Sequence, residues 1–392
     1  MRSAFDPAAA TAAYLAQLPP ETHAKAQAYT QGGYWLLLWG ALAGIAVAWL
    51  ILRSGGMVRL RTWAGGSQRP WRAAAVVLLA YGLAEGVLLL PWSVYARWWR
   101  ETQYGLSSQA ISGWLSEWAL GLVIGAVMTA LPLLLVYWLI RRTPRTWWAW
   151  SGGVVAGFFL VVLVLSPVLI EPLFNTYRPA PAGPVRQAVE VLARANGVPT
   201  DRILVYDGSK QSNRYTANVA GLFGTARIAL SDTMFREDAD LAEVRAVVGH
   251  EIGHYVRGDA FEMAAFFGLV AAVGLFLADR LFRPVARLAG ARDLEGIADP
   301  AGYPVLSMIL AGLALAATPI LNTYNRIGEA DADRFSLERA NEPDGMARAL
   351  LKTVEYRAAT PSRLEEAIFY SHPSVGSRIR MAMDWKAAHP AK

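Results

Sequence analysis

The sequence predicts a mainly α-helical integral membrane protein, with about six transmembrane helices and one small α/β domain inserted after the fourth. Three observations predict it. Hydrophobic residues make up 54% of the chain against 17% charged, and the mean hydropathy is +0.28, an unusually apolar balance for a soluble domain. Six apolar stretches, 34–52, 73–90, 118–140, 147–170, 260–281 and 303–321, are each long enough to cross a hydrocarbon core of ~30 Å. Most of the 15 tryptophans cluster at the ends of these stretches, as Trp98, Trp99, Trp147, Trp148 and Trp150 do. There an amphipathic ring prefers the water–lipid boundary. A soluble reading would require six helices apolar on every side.

In chain order, residues 1–32 form an N-terminal segment without a basic start followed by a short apolar run. No cleavable leader is therefore expected, and the first span is expected to be retained. Residues 33–172 hold four spans, the last ending in the proline-interrupted SPVLIEP (166–172). A polar α/β insert occupies 173–259. Within it PVRQAVEVLARANG (184–197) has helical periodicity with Gly197 as its stop, and RILVYDGS (202–209) reads as a strand ended by Asp-Gly. TANVAGLFGTARIALSD (216–232) reads as two strands joined through glycine-containing turns, and 241–256 as a helix. Two further spans fill 260–322. A helical tail, 325–340 and then 344–357, lies within 323–392. The net charge of +6 comes mainly from arginines in short loops beside spans, so no nucleic-acid partner is expected. With no cysteine, the chain has no disulfide, thiol catalysis or Cys-ligated zinc.

The chain has five histidines, and two of them stand four apart in VVGHEIGHYVRGD (247–259). On a helix His250 and His254 share a face one turn apart and can aim both imidazoles at one point. Glu251 lies beside the first and can reach a water bound there without being a ligand. This is the content of the H-E-x-x-H pattern: two neutral nitrogen ligands for Zn²⁺ and a carboxylate base for its water. The plainer alternative is a pair of surface histidines.

A catalytic zinc needs three protein ligands and an open position. The strongest remaining cluster is IGEADADRFSLERA (327–340), where Glu329 and Asp333 are four apart on one helical face and Asp331 points elsewhere. Glu329 is assigned as the third ligand, with Asp333 as the acceptor that holds a ligand histidine in its tautomer. The same residues also read as a solvated acidic turn opening a helix. A third group, YSHPSVGSRIR (370–380), carries His372 and Arg378, suited as positive or N–H donors to an oxyanion beside a metal. On spacing alone it is equally a His-Pro-Ser turn followed by a basic helix.

Together these residues resemble the type I CAAX prenyl endopeptidases, integral-membrane zinc metalloproteases related to the HtpX-type membrane proteases. The likeness runs from about residue 86 onward. It is carried by LPWSVYARWW (90–99), IEPLFNTY (170–177), ILVYDGSKQSN (203–213), RIALSDTMF (227–235), VVGHEIGHY, the Glu329–Asp333 pair and SHPSVGSR (371–378). The resemblance implies one Zn²⁺ bound by His250, His254 and Glu329, with Glu251 as general base and acid and Asp333 behind the ligands. It implies that His372 and Arg378 contact substrate and transition state. It further implies a ring of membrane helices around a water-filled chamber, closed at one end by a gluzincin-like domain spanning 173–259 and 323–392. Glu85 and Glu117 fit such a wet interior, or interhelical hydrogen bonding equally well. Eukaryotic members carry seven spans against six counted here. In the edge-strand segment the family's Asn-Ala-Tyr/Phe run is replaced by Thr216-Ala217-Asn218, so neither Thr216 nor Asn218 is given a catalytic role.

The implied partners are the lipid bilayer and a polypeptide substrate, prenylated or otherwise membrane-anchored. A quality-control protease without lipid-modified substrates is the alternative within the class. Outside it stand a non-catalytic membrane chamber or scaffold with structural zinc, and a metal transporter. The retained Glu251 argues against the scaffold, and ligands at span ends argue against the transporter. Loops 53–72, 141–146 and 279–302 carry twelve arginines, against four basic residues in 1–32 and 96–113. Charge bias alone would put the arginine loops in the cytoplasm. The resemblance implies a cytoplasm-facing site in a bacterial inner membrane, and the expectation follows the resemblance.

Overall fold

Away from water every backbone N–H and C=O must be satisfied within the segment, so long apolar runs fold as helices. The computed structural model describes residues 5–390 apart from 213, 215, 222–224 and 237–238. Asn213 of the quoted 203–213 segment, and much of the turn between the two strands of 216–232, thus lie outside the described residues. Among the described residues six helices are long and apolar enough to span a membrane: Pro20–Arg53, Pro70–Leu88, Ile111–Arg142, Trp147–Leu173, Asp259–Leu288 and Pro300–Ala340. Each packs on the next in chain order and the sixth returns to the first, which closes a ring. In their most apolar windows only 6% to 28% of residues are buried, so side chains such as Trp35, Leu88 and Val123 are left for lipid.

The helices overrun the predicted spans. The first has 34 residues, about 51 Å at 1.5 Å per residue, so roughly 20 Å of it stands outside a ~30 Å core. The sixth span and the helix predicted at 325–340 are one uninterrupted helix, Tyr303–Ala340. Its polar end carries Glu329 and Asp333 down from the membrane as a rigid extension. The tail helix predicted at 344–357 is shorter, Pro343–Lys352, followed by a tight turn at Thr353–Tyr356. Glu85 accepts a hydrogen bond from Tyr81 Oη at 2.7 Å and lies 3.4 Å from Ser307 on the sixth span. Glu117 instead accepts from Gln211 of the insert at 3.1 Å.

The insert forms a four-stranded sheet, β1 (Tyr177–Pro179), β2 (Ile203–Tyr206), β3 (Ala217–Ala220) and β4 (Arg227–Ser231), in the order β1-β2-β4-β3. β2 and β4 run parallel, and β3 is an antiparallel edge with Asn218 opposite Ala229. β1, only three residues long, was not read from the sequence. One face of the sheet and the helix Pro184–Ala195 share a core with Val244, Val248 and Ile252. These residues, spaced by four, form one stripe of the helix Leu241–Arg257. That helix starts at Asp240, whose carboxylate accepts from Ala242 N at 2.8 Å, a standard N-cap.

A second stripe of the same helix, Ala246, Gly249 and Gly253, faces the extended sixth helix. A Cβ at Gly249 would stand 2.9 Å from Ser336 Oγ, and one at Gly253 would stand 3.2 Å from Phe335. The missing side chains permit the close crossing, and Ser336 Oγ locks it by donating to Ala246 O at 2.7 Å. Gly249, just before HEIGH, and Gly253 within it thus set the distance between the histidine helix and the acid-bearing helix. A further core joins Ala26 of the first helix to Ala246, Leu337 and the terminal helix Val375–Ala388.

Candidate metal centre

The close crossing brings three side chains to one point. His250, His254 and Glu329 each offer a ligand atom, all within 4.8 Å of one another. His250 Nε2 lies 3.2 Å from His254 Nε2 and 3.2 Å from Glu329 Oε2, and His254 Nε2 lies 3.8 Å from Glu329 Oε1.

Both rings are fixed from behind. His250 Nδ1 lies 2.9 Å from Asp333 Oδ1, and His254 Nδ1 lies 2.7 Å from Asp259 Oδ2. An ionised carboxylate only accepts, so in each pair Nδ1 donates. The neutral rings then turn both Nε2 lone pairs inward, onto each other and onto Glu329. Glu329 Oε2 is buried and makes no hydrogen bond. Three electron-pair donors facing one another without a proton between them are stable only around a cation. The donor set, two imidazoles and a carboxylate, suits zinc. The site's demand for positive charge is visible in His250 itself. Burial alone would lower its pKa, yet the Asp333 and Glu329 carboxylates push it up to about 10. Without an ion the His250 ring therefore takes up a proton in the place the cation would fill, and it is neutral only as a ligand.

Asp333 is wholly buried. Arg378 clamps it through Nε and Nη2, both at 2.6 Å. Arg378 thus has two donors committed to Asp333 and Nη1 left over, and it walls the same cavity of about 220 Å³ as His250, Glu251 and His372. His372 Nε2 lies 3.2 Å from Glu329 Oε2, and the Ser371 hydroxyl is 3.0 Å from its Nδ1. Burial, with Arg357 close by, pulls the His372 pKa down to about 3. Burial pushes the Glu251 carboxyl up from its ordinary range, toward the value that suits a proton acceptor at neutral pH. Thr216 and Ala217, at the start of the edge strand, line the cavity wall.

All seven residues singled out in the sequence, His250, Glu251, His254, Glu329, Asp333, His372 and Arg378, therefore meet at or around one cavity. Asp259 was missed. It ends the quoted motif stretch, and its signal was the glycine before it. Gly258 has φ 73°, which breaks the helix and turns Asp259 back onto His254.

The family model described as Peptidase family M48 matches residues 179–386. The chain belongs to peptidase family M48. That makes it a membrane metalloprotease by family. A second model, CAAX prenyl protease N-terminal with five membrane helices, matches residues 7–176, and four of the six candidate spans lie there. Over 376 residues the chain is 27% identical to the uncharacterized metalloprotease YhfN of Bacillus subtilis, covering 93% of this chain and 86% of the relative. It is 27% identical over 321 residues to CAAX prenyl protease 1 of Saccharomyces cerevisiae, covering 76% and 68%. It is 24% identical over 421 residues to the CAAX prenyl protease 1 homolog of Homo sapiens, covering 92% and 86%. Among solved structures, the crystal structure of S. mikatae Ste24p matches with a TM-score of 0.75 at 22% identity, covering 94% of this chain and 90% of that one. That likeness bears out the expected fold, about six membrane helices around a chamber with a small α/β domain.

Proposed function

We propose that this chain is a membrane-embedded zinc metalloendopeptidase that hydrolyses peptide bonds in CAAX-type, prenylated or other membrane-associated polypeptides. The observation that carries the reading is the inward convergence of His250 Nε2, His254 Nε2 and the Glu329 carboxylate beside a cavity that Glu251 also walls. The substrate class follows the printed names of the yeast and human relatives. In this reading 173–259 and 323–392 are two halves of one protease unit, and 33–172 and 260–322 are its membrane regions. The cores that join the two polar segments support that division. The site faces the cytoplasm of a bacterial inner membrane.

When bound, the zinc ion supplies a Lewis acid and a water of lowered pKa. Glu251 accepts a proton from the attacking water and returns it to the leaving amine nitrogen. His372 and the free Nη1 of Arg378 face the developing oxyanion. Asp333 and Asp259 hold the ligand imidazoles in the tautomer that turns Nε2 inward. β3, an edge strand, pairs with an extended substrate through its backbone.

The test compares purified wild type and Glu251→Gln for zinc content and peptide cleavage. The variant is expected to keep one zinc per chain and to lose cleavage by about 10²–10⁴-fold. A variant with its zinc and full activity would remove Glu251 from the reaction.

A further inference from the structure

The proposed reaction leaves one charged side chain of the site unused. Arg357 stands where the Thr353–Tyr356 turn ends, and it lines two cavities at once. One is the cavity of about 220 Å³ walled by His250, Glu251 and Arg378. The other, of about 370 Å³, is walled by Tyr29, Tyr34, Asn322 and Tyr370. Tyr356 and His372 belong to both walls, so the two spaces adjoin across these side chains.

The neighbouring cations are already engaged. Arg378 is clamped on Asp333. Arg214 pairs with Glu101 at 3.1 Å, and Arg100 lies 3.8 Å from the same carboxylate and donates to the Tyr29 carbonyl. Among the described residues the Arg357 guanidinium has no ion pair and donates no hydrogen bond. Its contact is the Tyr356 ring, with Cζ 5.5 Å from the centroid. Burial pulls its pKa below that of a free guanidinium, as for any cation taken from water unpaired. The acid whose charge reaches it is Glu329, and the proposed centre commits that acid to the ion. Arg357 is half-buried, and cations withdrawn from water for structural reasons are usually paired. An unpartnered planar fork beside a reaction centre instead suits a carboxylate, which it grips with two parallel N–H···O bonds.

We propose that Arg357 binds a carboxylate of the substrate peptide in the cavity next to the cleavage centre, and so selects peptides with a negative charge close to the scissile bond. The carboxylate is either the free C-terminus or an acidic side chain near it. This rests on the peptidase reading of the site.

The test uses the full-length zinc-loaded protein, wild type for cleavage and Glu251→Gln for binding. The probes are a fluorescent heptapeptide with a free C-terminal carboxylate, its C-terminal amide, and the amide carrying one glutamate near that end. One charged peptide is expected to exceed the neutral amide about tenfold or more in kcat/KM, chiefly through KM, and in affinity for Glu251→Gln. The peptide that gains identifies the source of the carboxylate. Adding Arg357→Gln brings the charged peptide down to the level of the amide, and Arg357→Lys restores part of the difference. Equal handling of all three peptides by the parent proteins would overturn the proposal, as would an Arg357→Gln loss shared equally by all three. If wild type cleaves nothing while Glu251→Gln still prefers the charged peptide, the peptidase reading fails and the Arg357 site stands.

Discussion

The two histidines share one helical face, yet their surroundings are built in opposite ways. His250 is held by Asp333, 83 residues further along the chain, and Asp333 is held in turn by Arg378, another 45 residues on. His254 is held by Asp259, only five residues away. The first arrangement is sealed: the His250 side chain is 12% exposed and that of Asp333 0%. The second is open only on the ring side: the His254 side chain is 29% exposed, while that of Asp259 is 11% exposed and also lies beside Arg257 at 3.3 Å. The difference teaches that half of this site is a tertiary device and half a local one. The His250 half forms only when the insert, the sixth helix and the terminal helix have come together. The His254 half needs only a helix that ends at Gly258.

Breaking the sealed half carries the larger expected effect. Asp333→Ala leaves the Arg378 guanidinium buried without its carboxylate, a loss of about 3–5 kcal/mol of stability. It also frees the His250 ring, so zinc affinity falls by about 10- to 100-fold. Thermal unfolding and chelator competition on the purified protein measure the two. Asp333→Asn keeps the shape and separates them: its zinc affinity falls while most of the fold survives. The open half is expected to respond less. Asp259→Ala removes a buried acid from the first turn of a span, which costs about 1–2 kcal/mol, and weakens zinc by about tenfold, the low end of such effects. If Asp259→Ala costs as much stability as Asp333→Ala, the contrast between a tertiary and a local anchor is wrong.

The same contrast explains what could be read in the sequence. HEIGH is legible because a spacing of four maps directly onto one face of a helix. Glu329 and Asp333 are legible for the same reason, and because no cysteine competes for the third position. Asp259 escaped because five residues along an unbroken helix turn a side chain about 140° away from its start. Only the left-handed Gly258 brings it back. The sixth helix read as two pieces because its composition changes from apolar to polar near Asn322. A change of solvent does not end a helix, and Pro319 leaves Tyr303–Ala340 continuous. Arg357 had no local signature, since neither a missing partner nor an adjoining cavity is a property of neighbouring residues. His372 and Arg378 lay between: their spacing is ordinary, and only the fold brings them against Glu329 and Asp333.

The central claim is a single divalent ion gripped by His250, His254 and Glu329. Diffraction from crystals of the purified protein, collected on both sides of the zinc absorption edge, tests it most directly. The account predicts one anomalous peak bonded to His250 Nε2, His254 Nε2 and a Glu329 oxygen. An empty map at that point, or a peak held by other side chains while the Glu329 carboxylate turns away, would contradict it.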